Sequence, residues 1–166
     1  GKPSRVQSST RPMPGACSLF QARPGVATIR SPSGTSPGPT CTMLTQATRI
    51  SLTPEGLGDP LFGELPAEFD AFVGHKEAIS EVPPHLAVLA SSPGCPVQAF
   101  RVGRNVYATQ FHPELDGAAM TTRIHAYMNH GYFDPGEVDA LIERVQRADV
   151  RASQMVLSRF TEQYLR

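Results

Sequence analysis

The sequence predicts an α/β domain, with a mixed sheet and C-terminal helices, over residues 45–166. Three observations carry this. Five short runs rich in β-branched and aromatic residues follow one another between residues 50 and 111. Three segments of helical periodicity come after them. Strands followed by helices in one chain make a layered α/β or α+β domain, and 166 residues suffice for one such core.

The strand candidates, in order, are ISLT (50–53), FDAFVG (69–74), HLAVLAS (85–91), VQAFRV (97–102) and NVYATQF (105–111). Gly103-Arg104 separates the last two by the spacing of a tight hairpin. The first helix runs from about Asp116 to His130 and stops at Gly131. A second opens at Asp134-Pro135-Gly136-Glu137, which reads as N-cap, first-turn proline and capping-box glutamate. Its apolar stripe is Val138, Leu141, Ile142 and Val145, at i, i+3, i+4 and i+7. A third begins near Ser153 and is expected to bury Val156, Leu157, Phe160 and Tyr164.

Residues 1–44 read differently. They are rich in Pro, Ser, Thr, Gly and Arg, as in SPSGTSPGPT (31–40), and hold no hydrophobic period. Such a composition buries too little apolar surface to offset the entropy of ordering. The expectation is a low-complexity segment, disordered or translated from the wrong frame. The 15 basic and 15 acidic side chains balance overall but are unevenly placed. Residues 1–54 hold six basic groups and no acid, whereas 55–166 hold nine basic and fifteen acidic groups.

The balanced total suggests neither nucleic acid nor a membrane surface as partner. LAVLA (86–90), the longest aliphatic run, is too short to span a bilayer. Lys2 and Arg5 precede no apolar stretch, so no secretory signal is read. Cys17, Cys41 and Cys95 have no CxxC spacing, which argues against a disulfide framework or zinc site. A reducing cytoplasm is the expected location, and no metal or cofactor is expected.

The chemistry is concentrated in YATQFHPE, Tyr107–Glu114. It reads as a buried strand that ends where Pro113 withholds an N–H. Residues two apart in an extended chain project to one side, so Glu114 can reach the His112 ring. A carboxylate on one ring nitrogen fixes the tautomer and leaves the other nitrogen as a base. A plain His–Glu surface pair at a strand end is the alternative from spacing alone.

TQFHPE resembles the His/Glu signature of the class I glutamine amidotransferases, and further blocks extend the likeness. These are LTPEGLGDPLFGELP, FVGHKEAI, LASSPGCPVQAFRVGRNVYATQFHPELD and GYFDPGEVDALI. Together they cover about two-thirds of the chain and are similar to GMP synthase-like stand-alone members. The resemblance implies a partial flavodoxin-like domain that hydrolyses glutamine to glutamate and ammonia through a cysteine thioester. His112 would move the proton and Glu114 would orient it. The family nucleophile sits on a strand-to-helix turn of the form G-x-C-x-G-x-Q.

Gly15, Cys17 and Gln21 match three positions of that turn, with Cys17 lying 95 residues before His112. Leu19 departs from it, standing where the second glycine belongs. The resemblance also implies a family glycine-rich oxyanion loop upstream, for which the sixteen residues before Cys17 leave no room. It places His75 in a loop over the glutamine site, as a substrate-binding residue. Cys95 is a rival thiol that aligns with a non-catalytic loop, and Cys41 has less to recommend it. No P-loop is present, so the ammonia would pass to a synthetase encoded elsewhere. An inactive, truncated amidotransferase-like remnant or interaction subunit is the alternative, and a γ-glutamyl hydrolase a third.

Overall fold

Alternating apolar and polar residues build six strands. They are β1 (Ser18–Gln21), β2 (Gln46–Leu52), β3 (Glu68–Val73), β4 (Leu86–Ser92), β5 (Cys95–Val102) and β6 (Val106–Thr109). The helices are α1 (Pro54–Leu57), α2 (Gly117–Tyr127), α3 (Val138–Arg147) and α4 (Arg151–Tyr164). The computed structural model describes residues 18–21, 46–74, 79, 82–128 and 135–164. Cys17, Cys41, His75, His130, Asp134 and all of residues 1–44 except 18–21 lie outside the described residues.

The strands form one sheet in the order β1-β6-β5-β4-β2-β3. A mixed sheet was expected, and every described ladder is antiparallel. Connection length explains this. Ser92 pairs with Cys95 and Val102 with Val106, and such short links can only reverse the chain, because a parallel neighbour needs a crossover of a dozen or more residues. Gly103 takes φ 60° in the second link, a left-handed conformation that glycine enters at little cost.

The pleat of β3 divides the core. Phe69, Ala71 and Val73 enter a cluster with Ile50, Leu89, Tyr107, Phe111, Leu61 and Phe62, closed by Val156 and Phe160 of α4. Phe72 enters another, with Met120 and Ile124 of α2 and Val138, Leu141 and Val145 of α3. Neighbouring residues of a strand face opposite ways, so α4 and the α2–α3 pair cover opposite faces at β3. The layering is that of an α/β fold. Within the first cluster Tyr107 lies beside Phe62, Phe160 and Tyr164. Burial pushes its phenol well above the ordinary range, and the hydrogen bond with the Tyr164 hydroxyl adds to the shift.

The helices differ in detail from the sequence reading. Within the described residues α2 ends at Tyr127, and Asp116 caps its start by accepting from Ala119 N at 2.7 Å. Before α3, Pro135–Glu137 forms one 3-10 turn, and Glu137 makes no side-chain cap bond. The turn is tighter than the capping-box geometry requires. α4 starts at Arg151, two residues early, because Ser153 is buried with its hydroxyl on Val150 O at 2.8 Å.

The sequence reading missed α1. Thr53 caps it, accepting from Gly56 N at 3.0 Å and donating to Val88 O at 2.6 Å, with Pro54 in the first turn. Gly56 lies against β4 so closely that a Cβ there would sit 2.0 Å from Leu89 O. Gly56→Ala therefore must push α1 off β4, at about 1–3 kcal/mol, the usual range for overpacking. The test is the urea midpoint against Gly58→Ala, where the nearest atom to an added Cβ is 3.8 Å away. Equal midpoints for the two variants would refute the close approach.

Candidate functional site

The site is built where the chain leaves the sheet. Gln110 N still donates to Gln98 O of β5 at 2.8 Å, continuing the β5–β6 ladder. The next two residues turn to β3, at the opposite end of the strand order. The Phe111 ring meets Phe69 edge-on, with centroids 5.8 Å apart, and His112 N donates to Phe72 O at 2.8 Å. Pro113 has no N–H to extend a ladder. Leu115 N closes a tight turn onto His112 O at 3.3 Å, and Asp116 then starts α2. His112 is thus fixed by its own backbone between β3 and α2.

Its side chain is fixed as well. Nδ1 lies 2.7 Å from Glu114 Oε1. The i, i+2 spacing across Pro113 brings the pair together. The imidazole side chain is 6% exposed and the Glu114 side chain 44% exposed, so the ring is inside and the carboxylate reaches solvent. His112 Nε2 is buried and makes no hydrogen bond among the described residues. A carboxylate on Nδ1 favours the tautomer with its proton there, which leaves the lone pair on Nε2. Chemically this is an oriented base with one nitrogen committed and one uncommitted.

Cys17 and His75 lie outside the described residues, so their side chains are not placed against this pair. The nearest described neighbour of Cys17 is Ser18, the ladder partner of Thr109, three residues before His112. Residues 18–21 are extended in β1, where the family turn would begin a helix. Cys95 is buried at the start of β5, with its thiol 3.4 Å from Val97 O. His85 and His125 are at the surface. Two participants left little trace in the sequence. The Phe72 carbonyl is a backbone group and carries no residue signature. Gln98 is wholly buried on β5, and a glutamine inside the apolar run VQAF was the available signal.

The sequence profile of one family, Glutamine amidotransferase class-I, matches residues 35–133, a stretch that includes His112 and Glu114 and leaves Cys17 outside. The glutamine-hydrolysing subunit of GMP synthase from Thermoplasma acidophilum is 42% identical over 57 residues, covering 34% of this chain and 28% of that protein. Its counterpart from Methanococcus vannielii is 43% identical over 56 residues, covering 33% and 30%. Among solved structures, a glutamine amidotransferase from Thermotoga maritima aligns with TM-score 0.60 at 17% identity, over 90% of this chain and 56% of that one. One from Methylobacillus flagellatus aligns with TM-score 0.54 at 17% identity, over 75% and 54%. At that identity the likeness is one of fold. The chain thus spans about a third or less of these curated relatives and a little over half of the solved structures.

Proposed function

The chain belongs to the class I glutamine amidotransferases, and from this we propose that it carries the histidine–glutamate half of a glutaminase site. The observation behind the reading is the pair itself: Nδ1 held by Glu114 at 2.7 Å, with Nε2 buried and unpaired among the described residues. In this reading Cys17 is the nucleophile. His112 Nε2 takes the thiol proton, and the thiolate attacks the side-chain carboxamide carbon of glutamine. The tetrahedral adduct collapses as His112 returns the proton to the leaving nitrogen, releasing ammonia and a γ-glutamyl thioester. Water, deprotonated by the same nitrogen, cleaves the thioester to glutamate and free thiol. Glu114 holds the ring and offsets the imidazolium charge during both transfers.

The register of Ser18 with Thr109 supports Cys17 in this role, since it brings the residue after the cysteine beside the His112-bearing strand. His75 is assigned to contact bound glutamine. The ammonia passes to a synthetase on another chain, as the glutamine-hydrolysing names of the relatives suggest; its compartment would be the cytoplasm. A second reading has an observation of its own. Leu19 replaces the motif's glycine and Ser18–Gln21 are a strand, which favours an inactive amidotransferase-like remnant.

An electrophilic glutamine analogue, a chloroketone, separates the readings by mass spectrometry. The expected result is one adduct on Cys17, formed at least about tenfold more slowly in His112→Gln, because the reactive species is the thiolate. Labelling of Cys17 at the rate of Cys41, unaffected by His112→Gln, would overturn the assignment.

A further inference from the structure

Gln98 sits in the middle of β5 with 0% exposure. Its backbone carbonyl accepts from Gln110 N, so it stands across from the residue two before His112. Its side-chain Nε2 donates to Ser92 Oγ at 3.0 Å, while Oε1 is buried with no hydrogen bond among the described residues. A buried carbonyl without a partner costs roughly 1–3 kcal/mol, and folded proteins carry few of them. His112 Nε2 is a second atom of this kind; the remaining one among the described residues, Thr48 Oγ1, lies away on β2.

The two atoms are complementary once the ring is protonated. An imidazolium bears an N–H on each nitrogen. Nδ1 faces Glu114, and Nε2 then needs an acceptor. We propose that Gln98 is a positioning residue for His112, its side-chain carbonyl accepting from Nε2–H of the protonated ring directly or through one water. The contact would steady the ring while it carries the proton. The proposal rests on the reading of His112 as proton carrier.

Other charged groups on the elements that meet His112 are engaged elsewhere. Asp70 of β3 pairs with Arg49 at 3.2 Å and Glu68 accepts from Ser51 at 3.4 Å. Arg101 of β5 pairs with Asp59 at 2.8 Å, and Asp116 caps α2. Glu114 is therefore the charged group in contact with the ring among the described residues.

The test is an NMR titration of the His112 ring, assigned by loss of its signal in His112→Gln. Gln98→Met keeps the shape and removes the acceptor, so the midpoint falls by about half a pH unit. Gln98→Glu adds a negative acceptor, so the midpoint rises by about one unit. A merely structural role would move both variants the same way. Should Gln98→Met fail to fold, Gln98→Glu against Ser92→Ala decides the matter, the latter lowering the midpoint by freeing the amide. Unchanged midpoints, or shifts of one sign, overturn the proposal. No glutamine turnover enters this measurement, so loss of the glutaminase reading and loss of the Gln98 contact are told apart.

Discussion

Asp59→Ala is expected to cost the fold about 3–5 kcal/mol, the range for removing one partner of a buried ion pair. The Asp59 carboxylate is inaccessible and fully used. One oxygen accepts from Leu61 N at 2.8 Å and Phe62 N at 3.2 Å, and the other from Arg101 Nε at 2.8 Å. It therefore ties the segment after α1 to β5. Arg101 also donates to Gly103 O, in the β5–β6 hairpin whose second strand leads to His112. Alanine would strand two amide donors and a guanidinium at once. Arg101 keeps a side-chain exposure of 28%, so its own share lies at the low end of that range. Pairing Asp59→Asn with Arg101→Met removes both charges and should recover part of the loss. Urea unfolding measures each variant. A loss under about 1 kcal/mol for Asp59→Ala would place it instead in the range of exposed pairs.

The contrast between this network and the His112 pair explains what the sequence could reveal. His112 and Glu114 are two residues apart, so strand geometry alone joins them. Asp59 and Arg101 are 42 residues apart, and only the tertiary fold makes them partners. The strands from β2 to β6 were legible because β-branched and aromatic residues cluster in each, and Gly103 marked the last hairpin. β1 was not, since SLFQ is four residues inside a proline-rich stretch. α1 carried a readable signal, Thr53 followed by Pro54, which is an N-cap before a first-turn proline. At four residues it is too short to show a hydrophobic period, and the signal was passed over. The bond from His112 N to Phe72 O, which sets where the imidazole sits, is a backbone contact that any residue at position 72 could make.

The chain by itself is expected to release glutamate from glutamine far more slowly than an ordinary enzyme, at or below about 0.1 per second against a typical ~10 per second. The pair His112–Glu114 provides for proton transfer, but an acyl-transfer site also needs donors aimed at the oxyanion. In a strand-to-helix elbow those donors come from backbone N–H groups beside the nucleophile. Here the residues after Cys17 are extended in β1, and their ladder with β6 opposes a change to helix. Leu19 stands where the motif has glycine, and its Cβ raises the energy of the strained turn. Losing one oxyanion donor costs roughly 100- to 1,000-fold, which sets the expected rate. Labelling of Cys17 by an electrophile is compatible with this, because it requires a thiolate and no oxyanion site. The measurement is glutamate release at saturating glutamine by the purified chain, beside Cys17→Ala. Turnover near ~10 per second that Cys17→Ala abolishes would show that residues 15–21 adopt a working elbow and that the strand is not their active form.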